Sequence, residues 1–346
     1  MKVFATGATG FVGAHTALAL LEAGHELRLL VRNEQAARNW FETRGQQVDS
    51  FVTVDIRDQS AVQQAMTGCD AVFHAAAAVS LDPTKARTTY DTNVGAMRAV
   101  LGAAHALDIR NLLYVSSLAA LFHPNLPRID ESTPLADVHD AYLRSKRDSE
   151  KYVRGLQQSG MPVQITYPAG VIGPDDPKLS AVNRALVTWV SQMLPCTTTG
   201  FQGVDVRDLA AAHRWLLEHP ATGEYEDTRY IVGGHFYPWS ELCQCLETLL
   251  ARRLFSPRIP PSLLRAMGTT VDLVKKLVPF ETQISAEAMA FTTQWSPGDS
   301  SRFVQKSGLS FRTGEETFGD TIRWLVDAGH LAPDKAGRLV TTSNTA

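Results

Sequence analysis

Residues 4–20 read FATGATGFVGAHTALAL: an apolar run, a turn containing Gly7, Gly10 and Gly13, and a stretch with the apolar spacing of a helix. Few features restrict a fold more tightly. Glycine has no Cβ, so this turn can take left-handed dihedrals and let the backbone approach a ligand or a neighbouring strand closely. A helix starting near Phe11 presents free N–H groups and the positive end of its dipole to whatever lies before it. Thr9, Phe11 and Val12 belong to the same turn, and a pyrophosphate is the anion such a turn suits. Glycine spacing alone says little; its place between a first strand and a first helix gives it weight.

The unit then repeats. KVFAT reads as strand one, TALALLEAG as a helix closed by Gly24, ELRLLVR as strand two and SFVTVDI as strand three. SAVQQAMTG is a helix ending at Gly68, DAVFHAAA is strand four, and a long helix surrounds YDTNVGAMRAVLGAAHAL. NLLYVSS is strand five, YLRSKRDSEKYVRGLQQSG a helix, and PVQITYPA strand six. Strands apolar throughout and separated by helices indicate a parallel sheet buried on both faces, an α/β fold of the Rossmann doubly wound type.

Past residue 167 the pattern loosens. GPDDPKL is a loop whose two carboxylates are expected in solvent, GVDVRDLAAAHRWLLE adds a strand and a helix, and TRYIVGG a further strand. Residues 1–167 with 201–232 are expected to form the dinucleotide-binding domain. Residues 168–200 with 233–333 form a smaller mixed substrate lobe, and 334–346 a flexible tail. In SLLRAMGTTVDLVKKLV, Leu263, Met267, Val271, Val274 and Val278 fall at helical spacing, read as a core face in preference to a membrane-surface helix.

The 346 residues carry a formal net charge of −3, which speaks against a nucleic-acid partner. Cys69, Cys196, Cys243 and Cys245 lack metal-ligand spacing and read as thiols of a reducing compartment. With neither a secretory signal nor a membrane-length apolar run, the expectation is a cytoplasmic protein acting on a small molecule, as monomer or homodimer, with no metal.

Several residues carry chemistry. Strand two ends LLVRNE, so Arg32 stands where a dinucleotide fold for NAD places a carboxylate against the ribose. A guanidinium there suits a 2′-phosphate, which favours NADP(H) over NAD(H). Asp55, with Ile56 beside it, lies where a carboxylate can accept from an adenine amino group. Tyr142 and Lys146, four apart on one helix, share a face; an ammonium beside a phenol favours phenolate and brings the phenol towards the working pH range. At the end of strand five, Ser117 is the preferred hydroxyl for a substrate oxygen and Ser116 the alternative, since successive residues face opposite ways. His74 and His123 read as packing or hydrogen-bonding residues.

Taken in order, TGATGFVG, VDIRD, HAAA, NVGAMRAVL, YVSS, YLRSK, YPAGVIGP and VDVRDLAAAH resemble the motif series of extended short-chain dehydrogenases/reductases, the NAD-dependent epimerase/dehydratase superfamily. The likeness covers about residues 1–235 and looks greatest to the branch of dihydroflavonol-reductase-like and 3β-hydroxysteroid-dehydrogenase-like enzymes. It implies a catalytic Ser117, Tyr142 and Lys146, with Asn93 orienting the lysine. It also implies that Ala75, Ala76 and Ala77 run under the cofactor and that Pro168 and Val171 flank the nicotinamide. Two positions depart from the pattern. Tyr167 replaces a common arginine and is expected to pack, and Phe201 and Gln202 stand where nucleotide-sugar enzymes of the group carry an arginine for the substrate diphosphate. The reading that results is an NADP(H)-dependent oxidoreductase interconverting a secondary alcohol and a ketone on a mainly apolar molecule. The alternatives are a nucleotide-sugar epimerase or dehydratase holding NAD tightly, and a non-catalytic NADP sensor.

Overall fold

The computed structural model describes residues 1–48, 50–78, 86–124, 126–136, 141–221, 228–277, 282 and 284–340. The N-terminal half alternates strand and helix. β1 (Lys2–Thr6) leads into α1 (Phe11–Glu22), β2 (Glu26–Leu30) into α2 (Glu34–Glu42), and β3 (Ser50–Val52) into α3 (Gln59–Met66). β4 (Ala71–His74), α4 (Ala86–Ala106), β5 (Asn111–Val115), α5 (Ala141–Gln158) and β6 (Val163–Pro168) continue the series. After β6 come β7 (Gly170–Ile172), α6 (Ala181–Ser191), β8 (Gly200–Asp205), α7 (Val206–Glu218), β9 (Arg229–Val232) and β10 (His235–Pro238). The chain then turns helical: α8 (Trp239–Leu250), α9 (Pro261–Leu277), α10 (Ala286–Gln294), α11 (Ser301–Ser307) and α12 (Gly314–Asp327).

Seven strands pair in parallel in the order β3-β2-β1-β4-β5-β6-β9. Their side chains sort strictly by alternation. Val3, Ala5, Leu29, Phe73 and Leu113 enter one buried cluster with α1 and α7. Phe4, Val72, Leu112 and Tyr114 enter another with α3, α4 and α5. Burial on both faces is why these strands read as unbroken apolar runs. The strand order reverses between β1 and β4, and in such sheets the crevice beyond the carboxyl ends at that reversal is where ligands bind. A second sheet, β10-β8-β7, pairs β7 with β8 in parallel and β8 with β10 antiparallel.

Some expectations need correction. α2 escaped the sequence reading: only Ala37 and Phe41 are buried, and the Asn33 side chain caps its first turn. The carboxylates of 175 and 176 are not both solvated. Asp175 is exposed beside Arg44, whereas Asp176 is buried and accepts from the Ser180 amide and Asn183 Nδ2. The apolar stripe of α9 is not a core face either. Leu263, Met267 and Val274 are exposed, Val271 is half-buried, and Val278 lies outside the described residues. Of the tail expected past Pro333, the stretch to Val340 packs on α8, with Ala336 buried and Arg338 Nε donating to the Leu249 carbonyl; residues 341–346 lie outside the described residues. Among the described residues no helix is long and apolar enough to cross a membrane.

Candidate active site

At the carboxyl end of β1 the glycine turn is as tight as its sequence demands. Gly7 has φ +78°, and a Cβ there would stand 2.6 Å from the Ala76 amide nitrogen. A Cβ on Gly13 would stand 2.2 Å from the Gly7 carbonyl oxygen. The Gly10 amide donates to that same oxygen at 2.9 Å, closing the turn. Any side chain at Gly7 or Gly13 therefore collides with backbone. Gly10 is the N-cap of α1, no side chain caps this helix, and its first turn carries no acid. The terminal N–H groups are thus free of a protein anion and suit a pyrophosphate.

The neighbouring end of β4 completes the cradle. Thr6 Oγ1 and His74 Nδ1 are 2.7 Å apart, and the Ala75 amide donates to the Thr6 carbonyl. Thr9, Phe11, Val12, Ala75 and Ala76 are half-buried and Ala77 is exposed, so the surface from the turn to the alanines is open to a ligand. Burial first, and the Lys146 charge second, push His74 down to about 3, so its imidazole is neutral. It ties strand ends together and carries no charge at physiological pH.

On the other side of the turn, Arg32 is exposed just past β2. Asp55 is exposed too, but a partner the sequence reading did not name holds it. Arg57 donates from Nη2 at 2.6 Å, from Nε at 3.0 Å and from its own amide at 2.9 Å, and it pulls the carboxyl to about 2. Ile56 is half-buried against the cluster around Phe4.

At the end of β5 the two serines part company. From Leu112 to Phe122 every residue is buried except Ser117. Ser117 Oγ accepts from the Ala119 amide at 3.2 Å, capping a 3-10 turn over Leu118–Leu121, which leaves the hydroxyl hydrogen for a ligand. Ser116 is buried and donates to Glu150 Oε2 at 2.6 Å. Its hydroxyl is spent.

Lys146, buried on α5, places Nζ 3.4 Å from the Val115 carbonyl and 5.9 Å from the centre of the Tyr114 ring. Burial lowers it to about 8, with Glu150 pulling back upward. Tyr142 begins the same helix one turn earlier; its side chain falls outside the described residues. Asn93 on α4 reaches Lys146 only indirectly. Its amide accepts from the Ala78 N–H at 2.7 Å and donates to the Ala78 carbonyl and to Ser145 Oγ, each at 3.0 Å. It fixes the end of the alanine segment to the residue beside the lysine. Pro168 closes β6 beside Val232, and Val171 is half-buried on β7 beside Val204.

Sequence reasoning missed what stands behind the lysine. The fully buried Glu150 accepts from Ser116 Oγ, from Tyr167 OH at 2.5 Å, and from Arg154 Nε and Nη2 at 2.9 and 2.7 Å. Tyr167, expected only to pack, also takes an Arg154 bond at 3.2 Å, and burial with the nearby carboxylate holds its phenol well above the usual range. The guanidinium that meets this carboxylate comes from Arg154, one turn further along α5. The signal was in the sequence: Tyr142, Lys146, Glu150 and Arg154 recur every four residues, one face of one helix.

The positions discussed for a diphosphate are occupied otherwise. Phe201 packs edge-on against Trp189, and the buried Gln202 donates to the Gly298 carbonyl at 2.8 Å and accepts the Gly298 amide at 2.7 Å.

Comparison with known proteins agrees with this geometry. The model of the NAD dependent epimerase/dehydratase family matches residues 3–233. A putative dihydroflavonol 4-reductase of Synechocystis sp. is 28% identical over 332 residues, 95% of each chain. Sterol demethylase protein B of Methylococcus capsulatus is 27% identical, covering 96% of this chain and all of that one. Vestitone reductase from alfalfa superposes with a TM-score of 0.71 over 95% of this chain and 99% of its own, at 22% identity, a likeness of fold. With its glycine cradle, its strand order and this match over most of its length, the chain belongs to the NAD dependent epimerase/dehydratase family, enzymes of the extended short-chain dehydrogenase/reductase type.

Proposed function

We propose that the protein is an NADP(H)-dependent reductase interconverting a ketone and a secondary alcohol on a mainly apolar small molecule. One observation carries the reading: a buried lysine one helical turn after Tyr142, facing the strand end at which Ser117 alone is open. The glycine turn and α1 would hold the pyrophosphate, Ala75 to Ala77 would run beneath the dinucleotide, and Arg32 would meet a 2′-phosphate. When bound, the nicotinamide supplies or accepts the hydride. The rest belongs to the chain. Ser117 donates to the substrate oxygen, Tyr142 gives that oxygen its proton in reduction and removes it in oxidation, and the Lys146 ammonium favours the phenolate that results. Asn93, through Ser145 and Ala78, keeps α5 and the alanine segment in register.

An apolar substrate is favoured over a nucleotide sugar because Phe201 and Gln202 offer no cation to a diphosphate and are both committed to internal packing. The test is a panel of aryl, steroid and aliphatic ketones with NADPH and NADH, run beside Tyr142→Phe. The variant should keep its NADPH affinity and lose turnover by about 10²–10⁴-fold. A Phe variant as active as the wild type would remove Tyr142 from the chemistry.

A further inference from the structure

Three strands on one side of the reversal end in a row. Thr6, Leu30 and Val52 are the last residues of β1, β2 and β3, and the register pairs Thr6 with Leu30 and Leu30 with Val52. The segments that follow therefore stand side by side along the carboxyl edge: the glycine turn, then Arg32, then Asp55. Neighbouring strands lie about 4.8 Å apart, so the row spans roughly 10 Å. A dinucleotide with its pyrophosphate on the glycine turn would pass its ribose by Arg32 and bring its base to Asp55, with the half-buried Ile56 alongside.

Asp55 is exposed, yet it is held in one orientation. Arg57 closes a fork on it: Nη2 donates to Oδ2 at 2.6 Å, while Nε at 3.0 Å and the Arg57 amide at 2.9 Å both donate to Oδ1. Isolated surface ion pairs contribute little, but a bidentate guanidinium with a backbone donor beside it fixes the plane of a carboxylate. The turn beneath is closed as well. The Asp58 amide donates to the Asp55 carbonyl at 3.0 Å, and the Asp58 side chain accepts from the Ser60 and Ala61 amides that open α3. The stem of Arg57 lies over α4 at Gly95, where a Cβ would stand 3.4 Å from its Cγ and 3.7 Å from its Cδ.

The same geometry limits what Asp55 has left to offer. An ionised carboxylate accepts at about four lone-pair sites and donates nothing. Oδ1 takes two donors and Oδ2 takes Nη2, so Oδ2 keeps room for one more. The fork also pulls the carboxyl down to about 2, which keeps it ionised at any working pH.

We infer that Arg57 is the positioning residue for the cofactor's base: by fixing Asp55 it presents a single acceptor that takes a 6-amino group and turns away a 6-oxo group. Adenine supplies the donor this acceptor needs, whereas hypoxanthine sets an oxygen against it. The inference rests on the dinucleotide reading of the crevice and is independent of the reaction that follows.

The test is binding, followed by the fluorescence of the reduced nicotinamide as the full chain is titrated into NADPH, NADH and the hypoxanthine analogue of NADPH. The wild type should bind NADPH about tenfold more tightly than the analogue, the scale of one charge-assisted hydrogen bond at an exposed site. Arg57→Ala changes an exposed side chain and should fold normally by circular dichroism. It should weaken NADPH and NADH alike by about fivefold and leave the analogue within about twofold, so that the base preference nearly disappears. Arg57→Lys keeps the charge without the fork and should lose the preference too. A preference undiminished in Arg57→Ala, or fully kept in Arg57→Lys, overturns the proposal, as does a wild type that binds both bases equally. A loss confined to NADPH also overturns it, because Arg57 would then serve the 2′-phosphate. Failure to reduce any ketone would leave these titrations unchanged, so the two readings fall separately.

Discussion

Replacing Glu150 by glutamine isolates the electrostatic part of the site, since the substitution keeps the shape, leaves a carbonyl oxygen for Tyr167 and Arg154, and turns its NH2 to Ser116 Oγ, which can accept, while it removes the charge. Lys146 sits at about 8, lowered by burial and held up in part by Glu150. The two lie one helical turn apart, about 6 Å at their Cβ atoms, where opposite charges at an effective dielectric of ~20 attract by ~3 kcal/mol. Arg154, 2.7 Å from the same carboxylate, cancels part of that field. If about half remains, at ~1.4 kcal/mol per pH unit Lys146 should lose its proton roughly 1 unit lower in the variant. The sign is fixed: reduction in the proposed mechanism uses the protonated lysine, so activity falls as pH rises through its pKa. At pH 8 the variant should be about fivefold slower, and at pH 6 nearly indistinguishable from wild type. The assay is kcat/KM for a reducible ketone from pH 5.5 to 9.5 at saturating NADPH, and the readout is the displacement between the two alkaline limbs. Tyr167→Phe is the control. It removes one donor but leaves the charge, so its limb should stay in place while stability drops by about 1–3 kcal/mol from the lost buried bond. Coincident limbs for wild type and Glu150→Gln would refute the idea that this carboxylate tunes the lysine.

Other perturbations address the remaining parts of the site. Arg32→Ser should raise the KM for NADPH about tenfold, the ~1.4 kcal/mol of one exposed phosphate contact, and leave NADH unchanged; an equal effect on both nucleotides would separate Arg32 from the 2′-phosphate. Ser117→Ala should lower kcat by about 10²-fold by removing a donor to the substrate oxygen, whereas Ser116→Ala should leave kcat within a few-fold and lower the melting temperature. The reverse ranking in steady-state kinetics would exchange the roles of the two hydroxyls.

Legibility in the sequence followed the number of physical constraints on each element. β1, β4, β5 and β6 lie within the strands read from their apolar runs because both faces are buried and each run ends at a turn signal. The glycine turn was legible because backbone collision leaves no other residue at Gly7 or Gly13. α2 was missed because two buried side chains in nine residues leave almost no periodic signal. α9 failed differently. Periodicity locates an apolar stripe but not the direction it faces, and the inward face is held by backbone acceptors and by a glycine that no hydrophobic pattern marks. For the serines, alternation left two candidates, and only the carboxylate of α5 tells them apart, a contact between residues 34 apart in sequence.

Gln202 sets a limit on how this chain can diversify. Its amide mimics a neighbouring strand, offering donor and acceptor together to Gly298 and so basting the connection after α10 to the small sheet. An arginine there cannot accept the Gly298 amide, so acquiring a grip on phosphorylated substrates at this position would first unpick the join between the two layers. A change of substrate class by that route requires at least one compensating mutation near Gly298.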